Sequence, residues 1–273
     1  MAEISLSILD RITDVSQTIF QETLQNPNIR KIGEFTTAGA VEYVVRYLKE
    51  RKPDSQSMVC QFLGSPGSGK STLTQLTNTA LTNSVALSTN DYNIGTREDR
   101  RRIIVQGGTP LDENDFALLA SHVDALRHLS TAENLYLPEP YDPNTGHALI
   151  KGLARKIVGP INYVLIDGNF YIGNEGVSNV PLDSLIYLHM SDRNRLYVRL
   201  IRDLTEGQMR SKNAEDVLSQ FQSRRESQDK LFTLPFMNKA NLIIKTEPQF
   251  LGQKIEDFTY TIYRHSVYSY STL

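Results

Sequence analysis

The sequence predicts an α/β fold, a parallel five-stranded sheet sandwiched between helices. Two observations predict it. From residue 58 onward the short apolar segments "MVCQFL", "SVALS", "YVLIDG", "LIYLHM" and "NLIIK" alternate with longer helical stretches, the pattern of strands joined by covering helices. The first of these segments also runs directly into a glycine-rich turn and a helix-friendly stretch, "FLGSPGSGKSTLTQ", over residues 62–75. In such sheets ligands bind beyond the carboxyl ends of the strands, so the polar residues that follow each apolar segment carry the functional information.

Taken in order, the chain opens with Ile8, Ile12, Val15 and Ile19 at spacings of three and four, one apolar stripe of a helix within residues 4–24. A second helix is expected across "TAGAVEYVVRYLKER", and "RKPDSQS" reads as a polar hinge. This divides the chain into a helical N-terminal extension (1–52), an α/β domain (53–260) and a C-terminal tail (261–273). The extension reads as a cap on the domain that follows, with a dimerisation or partner surface as the alternative. A homo-oligomer is compatible with either reading. No internal repeat or low-complexity tract is present.

Composition excludes several classes. The 273 residues are 40% hydrophobic and 22% charged, ordinary for a globular protein. A formal net charge of −2 gives no global attraction to nucleic acid or an anionic membrane. Cys60 is the only cysteine, so no internal disulfide forms; within "MVCQFL" it reads as a small buried thiol rather than a nucleophile. No apolar run approaches the roughly 20 residues needed to span a bilayer. The N-terminus lacks a basic segment before a continuous hydrophobic one, so no signal peptide is expected and the protein is assigned to the cytoplasm.

Gly64-Ser65-Pro66-Gly67-Ser68-Gly69-Lys70-Ser71 satisfies G-x-x-x-x-G-K-[ST], with Thr72 continuing the following helix. The glycines allow a tight turn that aims backbone N–H groups at phosphate oxygens. Lys70 is placed to reach the β- and γ-phosphates of a nucleotide and the Ser71 hydroxyl to ligate Mg²⁺, with the positive end of the helix dipole behind them. An apolar strand before the motif and a helix after it make this a P-loop expected to bind a nucleoside triphosphate with Mg²⁺; transporters, GTPases, helicases and small-molecule kinases all use one.

Three further features follow the strands. Asp91, in "STNDYN", is placed either to take a proton from an attacking hydroxyl or to cap the helix containing "TREDRRR". Asp167 ends the hydrophobic "YVLIDG" and reads as a Mg²⁺ group or as a simple turn residue. Arg195, Arg199 and Arg202 in "DRNRLYVRLIRDLTEG" share a helical face. Their guanidinium groups suit a transferring phosphoryl group, or form a solvated basic face paired with Asp192 and Asp203.

From about residue 59 to 245 the order of segments resembles the uridine kinase, phosphoribulokinase and pantothenate kinase superfamily of P-loop kinases. Asp91-Tyr92 matches the D-x-Y-like motif after the second strand. Asp112 in "TPLDENDFALL" matches an aspartate that opens a helix. "PEPYDPNTGH" matches the P-x-Y-D…H segment with Tyr141, Asp142 and His147. "VLIDGNF" stands for the strand that ends in Glu-Gly, and "VRLIRDLTEGQ" for the arginine-bearing lid. The resemblance implies that Asp91 is the general base on the acceptor hydroxyl and that Lys70, Arg199 and Arg202 act on the phosphates. It also implies that Asp91, Tyr92, Asp112, Tyr141 and His147 line the acceptor pocket. Without it, His147 reads as an exposed loop residue. Val198 stands where the first lid arginine would be and "EGQ" lacks the later pair; Arg210, Arg224 and Arg225 are candidates to replace them. The Tyr141–His147 interval is one residue longer than in uridine kinases, and Asp167 is one methylene shorter than the usual Glu.

The function expected is an ATP-dependent kinase that phosphorylates a hydroxyl of a small molecule, with a uridine- or cytidine-like nucleoside as first guess. "DGNF" and "GGTPLDENDF" are also similar to the pantothenate and sugar kinase branches, so a sugar, pantothenate or glycerate is an alternative acceptor. A degenerate, nucleotide-binding regulatory module is the second class. A GTPase is disfavoured because "NKAN" at 238–241 has Asn where guanine reading needs Asp. A polynucleotide or toxin-type kinase would use Arg97, Arg100, Arg101 and Arg102, which otherwise form a solvated helix face.

Overall fold

The computed structural model describes residues 6–131, 133–142, 146, 154–204, 213–251 and 254–266. The expected N-terminal helix is split. A 3-10 turn, Leu6–Arg11, precedes helix α1, Val15–Leu24. The break falls at Asp14, whose carboxylate accepts from the Gln17 N–H at 3.0 Å and so starts a new helix. Strand β1, Ile29–Phe35, follows, and helix α2, Thr37–Arg51, coincides with the second expected helix.

The chain then alternates as the apolar segments require. Strand β2 (Met58–Leu63) leads to helix α3 (Lys70–Ala80), and β3 (Ser84–Ser88) to α4 (Arg97–Val105) and α5 (Phe116–His128). An antiparallel ribbon of β4 (Asn134–Pro138) and β5 (Ala154–Val158) precedes β6 (Tyr163–Gly168). Strand β7 (Ser184–His189) leads to α6 (Asp192–Leu204), and α7 (Ala214–Arg224) continues through a π-helical stretch, Arg225–Thr233. The long hairpin of β8 (Leu242–Leu251) and β9 (Lys254–His265) ends the described chain.

Two compact units result. The first comprises 1–40, 64–70 and 185–273; the second 41–63 and 71–184. In the second, β2 and β3 each pair in parallel with β6, Val59 opposite Val164 and Val85 opposite the same residue. In the first, β8 pairs in parallel with β7 and antiparallel with β9, and β9 pairs antiparallel with β1. All five apolar segments are therefore strands in parallel pairs. In the first unit, among the described residues, β9 and β1 add an antiparallel edge beyond the five strands expected. In β9 the consecutive residues Tyr260, Thr261 and Ile262 are all buried; since successive side chains point to opposite faces, both faces of the strand are covered there. The expected boundary at 260/261 falls inside this strand.

Every residue of β2, β6 and β7 is buried, which fits strands covered by helices on both faces. Cys60 is fully buried, and desolvation pushes its thiol pKa up, as a structural thiol requires. In the first unit Ile8 and Leu9 pack with Leu196, Leu200, Val217, Leu218 and Phe221. At about 1.5–3 kcal/mol per buried side chain, the N-terminal turn is part of that unit's core. No helix among the described residues is long and apolar enough to cross a membrane.

Candidate active site

The phosphate loop belongs to the first unit. Gly67 and Gly69 have φ of 89° and 86°, left-handed backbone that strains any residue with a Cβ. Gly64 is needed for a different reason: a Cβ there would stand 2.5 Å from the Leu188 carbonyl oxygen of β7 and 2.7 Å from Ser68 Oγ. The Ser68 N–H closes a turn on the Ser65 carbonyl at 3.1 Å. Lys70 is buried, its ammonium 3.5 Å from that same carbonyl. Ser68 Oγ is buried with no hydrogen-bond partner among the described residues. A buried hydroxyl without a partner in a glycine-rich loop before a helix suits an anionic oxygen.

Helix α6 brings Arg199 to the same loop. Its Cγ lies 3.7 Å from where a Cβ on Gly67 would stand. The residue is 3% exposed, its nearest carboxylate oxygen on Asp203 is 3.8 Å away, and its Nε has no hydrogen-bond partner among the described residues. Burial, then the neighbouring charge of Arg224, pushes its pKa down to about 9, so it stays cationic at neutral pH. Arg202 lies one turn on, is one-third exposed, and donates to Asp203 at 2.9 Å. Of the substitutes for lid arginines, Arg225 donates to the Thr13 carbonyl at 2.9 Å and Arg224 is exposed. Arg210 lies outside the described residues.

The second unit holds the remaining candidates. Ser71, in the first turn of α3 with Thr72, donates to Asp167 Oδ2 at 2.5 Å, and Asp167 is buried at the end of β6. Asp91 is 5% exposed at the 3-10 turn after β3. Its Oδ2 accepts from the Ser88 N–H at 3.0 Å and its Oδ1 from the Tyr141 N–H at 2.9 Å. Desolvation raises the Asp91 pKa, against the lowering effect of the two N–H groups and of Arg155; the charge on Asp167 raises it further. It does not cap the "TREDRRR" helix: Thr96 and Asp99 form that capping box.

Sequence reasoning missed Arg155. It lies on β5, 3.7 Å from Asp91 Oδ2, and donates to the Ala86 carbonyl at 2.9 Å. No motif marks it, since only the ribbon brings it back over the end of β3. Arg100 is buried and donates to the carbonyls of Gly95 and Gly146, with its guanidinium 5.9 Å from the Tyr141 ring centre. The acceptor segment containing Tyr141 is thus tied to both Asp91 and α4. Tyr92 is fully buried with its hydroxyl 3.1 Å from His122 Nδ1. Asp112 is exposed and holds the Thr109 N–H at 2.7 Å, closing a capping box. His147 lies outside the described residues. Among the described residues no group of three or more His, Cys, Asp or Glu side chains is arranged to hold a metal.

The strand succession, with a glycine-rich loop between β2 and α3, makes an α/β fold like that of P-loop kinases. No protein-family model matches the chain, and no curated protein does. Among solved structures, a protein designated YGR205w matches with a TM-score of 0.56 and 16% identity over 83% of this chain and 99% of its own. D-glycerate 3-kinase from Cryptococcus neoformans var. grubii matches with a TM-score of 0.51 and 14% identity over 81% of this chain and 97% of its own. A Silicibacter sp. TM1040 protein provisionally named a fructose transport system kinase matches with a TM-score of 0.52 and 19% identity, over 69% of this chain and 89% of its own. At these identities the likeness is one of fold.

Proposed function

We propose that the protein is an ATP-dependent kinase that phosphorylates a hydroxyl of a small molecule in the cytoplasm. The observation that carries this reading is the state of Asp91: a buried carboxylate, fixed through both oxygens by backbone N–H groups, with its pKa raised by burial. A carboxylate held this rigidly, with a proton affinity above the ordinary aspartate range, suits a group that takes the acceptor's proton. Its second lone pairs remain for that hydroxyl. The acceptor oxygen would form a bond to the γ-phosphorus as the bond to the leaving ADP oxygen breaks, and the hydroxyl proton would pass to Asp91.

Loop N–H groups, Ser68 Oγ and the buried cations Lys70 and Arg199 would hold the phosphates. Ser71 and Asp167 fit Mg²⁺: they offer two hard oxygen donors already in contact, and Mg²⁺ prefers one or two protein oxygens with phosphate and water for the rest. When bound, the ion would neutralise phosphate charge. Tyr141, Tyr92, Asp112 and His147 are proposed for the acceptor side. A nucleoside is the first acceptor to try; the glycerate and fructose-system kinases among the similar structures favour including hydroxy acids and sugars.

The test is to incubate the protein with ATP, Mg²⁺ and pools of nucleosides, pantothenate, sugars, glycerate and short oligonucleotides, and to look for new phosphorylated masses. A phosphorylated small molecule whose formation Asp91→Asn abolishes, with ATP still bound, supports the reading. Firm ATP binding with no product from any pool overturns it in favour of a regulatory module.

A further inference from the structure

Arg195 is an arginine that the kinase chemistry above does not use. It is 1% exposed in the first unit. Its Nη2 contacts Asp192, and its Nη1 donates to Asp229 Oδ2 at 2.8 Å and to the Pro66 carbonyl at 3.3 Å. The guanidinium carbon lies 5.0 Å from the Phe221 ring centre. Its carbonyl oxygen and Cβ lie 3.6 and 3.8 Å from where a Cβ on Gly67 would stand. Pro66 and Gly67, the middle of the phosphate loop, thus rest on one buried side chain whose direction two carboxylates dictate. A planar fork satisfies three acceptors in fixed directions; an ammonium does not.

Asp192 is itself held from the N-terminus. Its Oδ2 accepts from the Ser16 N–H at 3.2 Å, and its own N–H donates to Asp14 Oδ1 at 3.0 Å, the oxygen that also starts α1. Arg225 reaches the Thr13 carbonyl at 2.9 Å and stands 3.8 Å from Asp192. A continuous path of polar contacts therefore runs from residues 13–17 through Asp192 and Arg195 to Pro66.

We propose that Arg195 is a positioning residue that sets the shape of the phosphate loop, and that the N-terminal segment 13–17 keeps it in place through Asp192. The functional consequence rests on reading that loop as the nucleotide site. A merely structural role would spread its loss over the whole unit; positioning concentrates it on the loop.

The experiment compares Arg195→Lys and Asp14→Ala with wild type. Backbone amide exchange at 64–70 is measured without nucleotide, and ADP·Mg²⁺ affinity by calorimetry. For Arg195→Lys the exchange at 64–70 rises and ADP affinity falls, each roughly tenfold, since small misplacements in a preorganised site have effects of that size. Amides of Leu242–Lys245 in β8, in the same unit, keep their protection. For Asp14→Ala the same changes appear at about threefold, smaller because the contact is indirect. Unchanged loop exchange in Arg195→Lys, or a rise of equal size in β8, overturns the role of Arg195. Should that variant fail to fold, Asp14→Ala decides, and wild-type loop exchange in it overturns the proposal. A wild-type protein that binds no ADP removes the nucleotide reading, and the exchange measurement then decides the role of Arg195 by itself.

Discussion

Arg155 on β5 and Asp91 after β3 stand 3.7 Å apart, a guanidinium beside the one buried carboxylate at the proposed acceptor side. Burial raises the Asp91 pKa and Arg155 opposes that rise. Removing the cation lets the pKa climb further. Arg155→Met is expected to move the acid limb of the kinase pH–rate profile upward, while Arg155→Lys restores most of it. Carboxyl carbon NMR of Asp91 reads the same shift without any acceptor. An unmoved titration in Arg155→Met would rule out the coupling.

The Ser71 hydroxyl and Asp167 carboxylate, in contact at 2.5 Å, are expected to act as one unit. Ser71→Ala and Asp167→Asn should each weaken Mg²⁺-dependent ATP binding by about 10–100-fold. The double variant should lose little more than the worse single one, because residues that share a ligand do not add. Losses that multiply across the four proteins of the cycle would show two independent sites.

Gly64 differs from the other loop glycines in being fixed by space. A methyl group there meets the Leu188 carbonyl oxygen at 2.5 Å, so backbone must shift to admit it. Gly64→Ala should lower stability by about 1–3 kcal/mol, the cost of overpacking a close-fitted site, and weaken nucleotide binding with it. Urea denaturation beside calorimetric titration checks both; a variant with a wild-type midpoint would contradict the packing account.

His189 supplies a pH dependence. Its ring stacks on Phe20 at 4.2 Å and donates from Nε2 to Gln17 at 3.0 Å. Burial, then Arg195, pushes its pKa down to about 3 from 6.5. The folded value lies below the unfolded one, so the neutral ring contributes stability above pH 6.5 that is lost as pH falls toward 3. The slope approaches about 1.4 kcal/mol per pH unit in that window. His189→Phe, which keeps a ring on Phe20, should flatten the profile of urea midpoint against pH between 6.5 and 5. A variant as acid-sensitive as wild type would assign that sensitivity to other groups.

Much of this protein is written locally. The phosphate loop is legible because its function needs particular backbone angles in consecutive residues, and Gly67 and Gly69 adopt the positive φ that the motif implies. The five apolar segments announce strands because a strand buried on both faces is apolar at most positions, as β2, β6 and β7 are apart from Gln61, Asp167, Ser184 and His189. Asp91 and Asp167 are legible as strand-end carboxylates, though not the partners that tune them.

Other features depend on neighbours distant in the chain. β1, "IRKIGEF", carries no strong period of its own and becomes a strand because β9 offers it an open edge. Arg155 has no motif because its meaning comes from the ribbon that brings it to Asp91. Arg195, Arg199 and Arg202 look alike on a helical face, yet one rests between two carboxylates, one lies buried against Gly67, and one is partly exposed beside Asp203. Spacing puts side chains on a common face; only the surrounding surfaces decide which are desolvated and what each one meets. The sequence by itself therefore determined the fold class and the glycine-rich loop between β2 and α3, whose physics is local backbone geometry and hydrophobic periodicity. The tertiary structure alone decided which charges meet, because burial and electrostatics depend on distances through space.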